Sequence, residues 1–251
     1  VPPLWSFGLW MSRITYKSEA EVRDVAQKLR EHEIPSDVIH LDTGWFEVDW
    51  QCDYKFAPSR FDDPAKMISD LKKDGFRVCL WQLPYFSNKN ALYKDAAEKG
   101  YFVKGGGEWP SEDGVVDFSN PAAREWYEAL IAGLLQLRVG AIKVDFGEDS
   151  PLSGVYASGR TGWYEHNLYP LRYNKCVADL TEKITGDNII WARSAWAGSQ
   201  RYPLPWGGDA ENTASAMAAT LRAGLSFGLC GFTYWSHDAG GFVEKAPRDL
   251  Y

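Results

Sequence analysis

Three acidic residues follow a short apolar run in the segment "IKVDFGEDSP". Side chains two positions apart in a strand lie on the same face, so Lys143 and Asp145 share one face while Val144 and Phe146 share the other. If Val144 and Phe146 face a layer of helices, Lys143 and Asp145 face the interior of the fold. A carboxylate above a buried cation stays charged, as a nucleophile requires. A purely structural Lys–Asp ion pair is the alternative interpretation.

A second candidate acid, Asp209, ends the segment "LPWGGD". The two glycines let the backbone come close to a ligand, and Trp206 can stack on one. A carboxyl group beside an aromatic wall is shifted toward its neutral form and can donate a proton at neutral pH. Two carboxyl groups with opposite protonation preferences in one pocket can cleave a glycosidic bond. One attacks the anomeric carbon and the other protonates the leaving oxygen.

Chemically useful side chains recur where successive predicted strands end. In chain order they are Asp42, Trp81 with Gln82, Asp145, Arg193, Asp209, and His237 with Asp238. In a parallel barrel the loops after the strands converge on one face, and substrate binds there. A single acid after a strand is usually the N-cap of the next helix, but the recurrence weakens that interpretation. Arg193 could hold a sugar hydroxyl or one of the acids, or could form an ion pair in the barrel core.

Two acids near Asp145 are predicted to have no part in the chemistry. Glu148 and Asp149 come after Gly147, beyond the end of the strand, so they are expected to be loop residues at the mouth of the site.

A metal centre is the main rival hypothesis for a barrel of this kind. His40 and Asp42 share a strand face, and His237 and Asp238 end another strand, but neither an HxH nor an HExxH motif is present. The sequence has four histidines, and two of them lie in helical segments. We therefore expect no metal site and no cofactor.

Capped amphipathic segments alternate with short apolar runs along the chain. The segment "SEAEVRDVAQKL" begins with a capping box formed by Ser18 and Glu21. In "DPAKMISDLKKDG" and "NPAAREWYEALIAGLLQL", an Asp or Asn N-cap precedes a proline at the first helical position. The segments "NLYPLRYNKCVADLTEKITG" and "NTASAMAATLRAG" are further predicted helices, the second ending near Gly224. The predicted strands are "LWSFGLW", "SDVIHLD", "FRVCLWQ", "GAIKVDF", "NIIWARS", "LPWGGD" and "LCGFTYWSHD".

Alternation of strand and helix implies right-handed crossovers and a parallel sheet. A doubly wound fold would carry a Gly-rich phosphate turn after an early strand, and the sequence has none. The predicted fold class is therefore α/β, a (β/α)8 TIM barrel whose eighth strand is missing from the chain. The long strand-to-helix connections, residues 43–62, 83–119 and 147–166, should build the site. Without an initiator Met, residues 1–251 are expected to be a catalytic barrel domain cut from a longer multidomain enzyme.

Composition argues against several classes of partner. The net charge is −7, with no Lys/Arg cluster and no apolar run of about 18 residues, so we expect neither nucleic acid nor membrane as a partner. The cysteines, Cys52, Cys79, Cys176 and Cys230, are predicted to be reduced packing residues, which favours a cytoplasmic protein. Twelve tryptophans suit the C–H faces of sugar rings as well as they suit packing.

Five blocks of the sequence resemble, in order, those of glycoside hydrolase family 31, the retaining α-glycosidases. They are "PPLWSFGLW", "HLDTGWF", "KVDFGE", "ARSAWAGSQRYPLPWGGD" and "FTYWSHDAGGF". The resemblance implies that Asp145 is the catalytic nucleophile and Asp209 the general acid/base. It also implies that the subsite for the non-reducing sugar is lined by Asp42, Trp81, Lys143, Arg193 and Trp206, with His237 close behind.

Within that family, "KVDFGE" is similar to the bacterial α-xylosidase branch, whereas α-glucosidases tend to carry a DMNE-like block. A lysine two positions before the nucleophile fits a pocket closed where a hexose carries C6, which favours xylose by exclusion. The implied activity is exo-acting retaining hydrolysis of an oligosaccharide or α-glycoside, with the two carboxyl groups roughly 5 to 6 Å apart. An oligomer could form through the parent protein. An α-glucosidase, a transglycosylase and a non-catalytic carbohydrate-binding barrel fragment are the alternatives.

Overall fold

Parallel strands alternating with helices make up the computed structural model of the chain, which describes residues 1–105, 113–242 and 245–251. The strands are β1 (Trp10–Ser12), β2 (Val38–Leu41), β3 (Arg77–Gln82), β4 (Tyr85–Phe86), β5 (Gly114–Val115), β6 (Ala141–Val144) and β7 (Ile190–Ala192). The helices are α1 (Glu19–Glu31), α2 (Pro64–Lys73), α3 (Tyr93–Glu98), α4 (Pro121–Gln136), α5 (Gly162–Glu165), α6 (Tyr169–Thr185) and α7 (Ala214–Leu229). Short 3-10 turns occupy Leu4–Phe7, Thr43–Trp45 and Ser199–Arg201.

One parallel sheet of the described chain has the strand order β1-β2-β3-β6-β7. The last two predicted strands are reduced to single parallel bridges that continue this order, Ala192 with Pro205 and Trp206 with Ser236. Right-handed β-helix-β units around such a sheet form part of a (β/α)8 barrel, which confirms the predicted fold class. In the sheet register, Trp81 pairs with Lys143, and Lys143 pairs with Trp191. These three side chains therefore lie side by side near the C-terminal edge of the sheet.

Side-chain caps start the helices where the sequence predicts them. Ser18 accepts a hydrogen bond from the backbone N–H of Glu21 at the start of α1. Asp63 and Asn120 cap α2 and α4 in the same manner, each directly before a proline. Such caps satisfy N–H groups that have no partner inside the helix, so they fix where each helix begins.

Two predicted boundaries at the ends of the chain are wrong. The first strand begins only at Trp10, because Leu4–Phe7 forms a 3-10 turn instead. Helix α7 continues past Gly224 to Leu229, since Gly224 does not end the helix but lets the ring of Trp235 pack against its backbone. Cys230, which caps the end of this helix, is exposed and is not the packing residue the sequence suggested. The other three cysteines are buried thiols, as predicted.

The connection after β3 contains structure that periodicity did not reveal. Strands β4 and β5 form a two-stranded antiparallel sheet, and α3 lies between them. Residues 106–112 of the predicted 83–119 connection lie outside the described ranges. Helix α5 similarly interrupts the predicted 147–166 connection. In the part of the chain described, no helix has the length and hydropathy needed to cross a membrane.

Candidate active site

Asp145 lies directly after β6 with both carboxylate oxygens engaged. The indole Nε1–H of Trp81 donates to Oδ2 at 2.6 Å. The backbone N–H of Phe146 donates to Oδ1 at 2.8 Å, and Nη1 of Arg193 lies 3.3 Å from the same oxygen. The residue is only 6% exposed. Charge-assisted contacts of this kind fix the orientation of a carboxylate before any ligand binds.

Lys143 points into the barrel, as strand alternation predicts, but its closer partner is not Asp145. Its ammonium lies 3.0 Å from Oδ2 of Asp42 and 3.9 Å from Oδ2 of Asp145. The rings of Trp191 and Trp206 lie 4.6 and 4.9 Å from the same ammonium. Burial opposes the charged form, but the two carboxylates outweigh it and raise the pKa of Lys143. The lysine is therefore shared between Asp42 and Asp145, a correction to its predicted role beneath Asp145 alone.

His40 supports Asp42 from below. Its Nε2 lies 2.9 Å from Oδ2 of Asp42, and because a carboxylate only accepts, Nε2 carries the proton. Complete burial lowers the pKa of His40, which favours the neutral imidazole. Burial alone would raise the pKa of Asp42, but the His40 hydrogen bond and the charge of Lys143 lower it to about 2. Sequence reasoning considered His40 only as a metal ligand, although the face it shares with Asp42 was the signal for this pair.

Replacing Lys143 by methionine should destabilise the fold by about 3–5 kcal/mol at neutral pH, because Asp42 and Asp145 would be left buried without this cation. Since the folded-state pKa of Asp42 is depressed, its contribution to stability is present above its ordinary pKa and is lost as pH falls toward about 2. The difference between wild type and Lys143→Met in urea unfolding should therefore shrink as pH falls through that window. Lys55→Met, at an exposed lysine, is the control and should unfold like wild type. A difference that stays constant with pH would contradict the pairing.

Arg193 links the two predicted catalytic acids. Its Nη1 lies 3.3 Å from Oδ1 of Asp145 and 4.0 Å from Oδ2 of Asp209, while Nη2 pairs with Glu148. Its guanidinium lies 3.9 Å above the ring of Phe146. Although burial opposes the charge, Asp145 and Glu148 raise the pKa of Arg193. Because Oδ1 of Asp145 and Oδ2 of Asp209 both lie near Nη1, the distance between these two oxygens cannot exceed the sum of their distances to that nitrogen. The predicted separation of roughly 5 to 6 Å between the carboxyl groups lies within this limit.

Asp209 occupies a different environment from Asp145. Its side chain is 47% exposed. Partial burial and then the negative charge of Asp145 raise its pKa. The shift has the direction predicted from the sequence, but its causes are desolvation and a neighbouring carboxylate rather than an aromatic wall. The site therefore contains two carboxyl groups of unlike surroundings on either side of one guanidinium.

The whole chain, residues 1–251, matches the family model described as "Glycosyl hydrolases family 31 TIM-barrel domain". The chain belongs to glycosyl hydrolase family 31. The sequence resemblance is thereby confirmed.

Proteins of named activity align along nearly the full chain. An alpha-xylosidase from Emericella nidulans is 37% identical, over 99% of this chain and 34% of its own length. The alpha-xylosidase XylQ from Lactiplantibacillus pentosus is 37% identical, over 100% of this chain and 35% of its own. A cycloalternan-degrading enzyme from Trueperella pyogenes, solved in complex with a covalent intermediate, superposes with a TM-score of 0.88 at 29% identity, covering 99% of this chain and 39% of that one. The chain thus spans about a third of the length of the curated relatives it matches.

The family 31 barrel brings together seven of the predicted site residues. Asp42, Lys143, Trp206, Trp81, Asp145 and Arg193 form one chain of contacts, and Asp209 joins it through Arg193. His237 does not join it: the residue is exposed, and within the described ranges its hydrogen bond is to the carbonyl of Asp238. Its neighbour Asp238 is partly buried; burial raises its pKa to about 6, and the charge of Lys143 opposes the shift.

Two residues near Asp145 in this family 31 site have roles that the sequence analysis assigned differently. Phe146 was expected to face the helices, but its φ of 57° ends the strand alternation and places its ring under Arg193. Glu148 is an exposed loop residue, as expected, but it also pairs with one end of the Arg193 guanidinium, which the sequence analysis did not anticipate. The left-handed turn continues at Gly147, where φ is 102° and a Cβ would lie 2.5 Å from Oγ of Ser194. Glycine is therefore required there.

Gln82 is also not a ligand-facing residue. It is fully buried, and its amide N–H groups donate to the carbonyl of Lys143 and to the hydroxyl of Tyr173, each at 2.9 Å. The hydroxyl of Tyr127 donates to its side-chain oxygen. Gln82 thus secures β3 to β6 below the site. Among the described side chains, no cluster of three or more His, Cys, Asp or Glu residues could hold a metal ion.

Proposed function

We propose that the chain is the catalytic barrel of an exo-acting retaining α-glycoside hydrolase that prefers α-xylosides. The observation that carries the proposal is the position of Arg193 Nη1 between the carboxyl groups of Asp145 and Asp209. The Asp145 carboxylate is buried and accepts a hydrogen bond at each oxygen, while the Asp209 carboxyl group is half exposed and has a raised pKa. This asymmetry supports a nucleophile at Asp145 and a proton donor at Asp209.

In the proposed reaction, Asp145 attacks the anomeric carbon as the glycosidic bond breaks and Asp209 gives its proton to the leaving oxygen. The product of this step is a β-glycosyl ester of Asp145. Asp209, now a carboxylate, takes a proton from water, and the resulting hydroxide displaces Asp145 to give the α-anomer. The covalent intermediate solved for the Trueperella pyogenes relative supports a double displacement.

The proposed preference for xylose rests on the closed base of the pocket and on the named relatives. Lys143 is only 4% exposed and is enclosed by Asp42, Trp191 and Trp206. A pocket filled in this manner favours a sugar without the C6 hydroxymethyl group. The two relatives at 37% identity are both named alpha-xylosidases. Asp42 and Arg193 are proposed to hold the hydroxyls of the same sugar.

A panel of aryl α-glycosides with one shared leaving group tests this proposal on the full-length protein. We expect kcat/KM for the α-xyloside to exceed that for the α-glucoside by about tenfold or more, with the α-galactoside slower still. Proton NMR of the first product should show the α-anomer. A β-anomer as first product would exclude the retaining mechanism, and a preference for the glucoside would favour the α-glucosidase alternative.

The remaining alternatives have separate tests. An added acceptor sugar that diverts the product into new glycosides would indicate transglycosylation at the same site. Calorimetric binding of xylosides without turnover by the full-length protein would favour a non-catalytic carbohydrate-binding role. A cytoplasmic location, an organisation of residues 1–251 as one domain and an oligomer stay predictions.

A further inference from the structure

Trp50 is an exposed aromatic residue beside the candidate site, in the connection after β2. Its side chain is 56% exposed, whereas Trp81 next to it is 1% exposed. Its backbone has a φ of 61°, in the left-handed region that a bulky residue rarely adopts. Strained backbone of this kind persists where its surroundings hold it, and it concentrates at ligand sites. The tight turn closed by the Gln51 N–H to the carbonyl of Val48 holds this backbone and presents the ring to solvent.

The ring of Trp50 is held against two residues that support Asp145. Its centroid lies 5.6 Å from the ring of Trp81, at an interplanar angle of 90°, and 6.1 Å from the ring of Phe146, at 74°. Trp81 donates directly to Asp145, and Phe146 carries the guanidinium of Arg193 on its ring. Trp50 is thus one ring removed from the carboxylate of Asp145, and its own ring is open to solvent.

We infer that Trp50 is a stacking platform for the leaving group, and that this group is itself a pyranose ring. The inference rests on the proposed function and names its substrate class: α-glycosyl disaccharides and oligosaccharides rather than simple alkyl glycosides. A flat apolar ring with free surface matches the C–H face of a pyranose. In addition, the exposed indole of Trp50 carries an N–H that can donate to a sugar hydroxyl.

The position of Trp50 assigns it to the leaving group rather than to the sugar that forms the ester. The buried residues Trp81 and Lys143 lie beside Asp145, and Trp206 lies beside Lys143, so the sugar that forms the ester would bind among them. A sugar bound in a closed pocket exposes only the side that carries the scissile bond. The unit attached there meets the rim, and Trp50 is the ring at the rim that contacts both Trp81 and Phe146.

The test compares two substrates of the full-length protein. In both, the sugar that would form the ester is the one with the highest kcat/KM in the aryl α-glycoside panel. One is its α-linked disaccharide with glucose as leaving group, and the other is its α-glycosyl fluoride, whose leaving group has no ring. Trp50→Ala should lower kcat/KM for the disaccharide by about tenfold relative to the fluoride, the effect of one lost stacking contact. Trp50→Phe keeps a flat ring and should recover most of the loss.

Other outcomes overturn the inference in distinguishable ways. Equal losses on both substrates would mean that Trp50 only supports Trp81 and Phe146. No loss on either would mean that the ring has no role in binding. If the wild-type protein turns over neither substrate, the proposed function fails and the inference fails with it. Turnover of the fluoride by Trp50→Ala also shows that this variant is folded.

Discussion

Replacing Asp145 by alanine is expected to lower kcat on every α-glycoside by a factor on the order of 10⁴ or more, because no group remains to form the glycosyl ester. The loss should be as large for a fluoride or aryl leaving group as for a sugar, since bond formation to the anomeric carbon is required in each case. The variant should still fold, because Arg193 still pairs with Glu148 and Lys143 still pairs with Asp42. Steady-state rates and thermal unfolding of the same samples measure both effects.

Chemical rescue identifies the role of Asp145 more sharply than the loss of activity. Azide can enter the space left by the carboxylate and displace an activated leaving group once, so Asp145→Ala should yield a β-glycosyl azide. Asp149→Asn is the matched control, because Asp149 is an exposed acid four residues after Asp145. Its backbone N–H donates to the hydroxyl of Tyr85, and the substitution leaves that hydrogen bond in place. Near wild-type turnover by Asp145→Ala, or an α-glycosyl azide, would contradict the nucleophile assignment.

Replacing Asp209 by alanine is expected to slow substrates according to their leaving groups. Hydrolysis of glycosides with sugar leaving groups should fall by about 10²–10⁴-fold, since their oxygen needs a proton. A glycosyl fluoride needs little such help, so its ester should form and accumulate, with a lower KM. Azide should then attack the ester and give the α-glycosyl azide, the opposite anomer from that of Asp145→Ala. Product NMR distinguishes the two variants.

The pH dependence of kcat/KM supplies an independent check on Asp209. A general acid must be protonated, so activity should fall as pH rises through its pKa, which burial and the charge of Asp145 raise above the ordinary value. Asp209→Asn should remove this basic limb. Asp238 is the other carboxyl group that could produce this basic limb, because burial raises its pKa to about 6. If Asp238→Asn removes the limb and Asp209→Asn retains it, the two roles have been assigned to the wrong residues.

Much of the framework follows from local rules that the sequence displays. Caps at Ser18, Asp63 and Asn120 are satisfied by N–H groups two or three residues away, so no distant contact is needed to predict them. The inward direction of Lys143 and Asp145 follows from the two-residue period of a strand. These are statements about neighbours in the chain, which is why they are correct.

The errors arise where distant contacts or a change of backbone conformation decide the outcome. Which carboxylate lies nearer Lys143 depends on how β2 and β6 are placed across β3, and no local pattern contains that distance. Phe146 leaves the strand alternation through a positive φ, so periodicity assigns it to the wrong face. Gly224 has the sequence features of a helix end, but the Trp235 ring packed against it is distant in sequence.

The guanidinium shared by Asp145 and Asp209 couples the charge of one acid to the proton affinity of the other. While Asp145 is a free carboxylate, burial and then the charge of Asp145 raise the pKa of Asp209, which in the proposed reaction keeps a proton available for the leaving oxygen. Once Asp145 is esterified that charge is gone, and Arg193 faces only Glu148 and Asp209 as carboxylates. The pKa of Asp209 then falls, so the same side chain becomes a base at the moment water must be activated. In the proposed reaction, electrostatics alone thus turn the proton donor into the base.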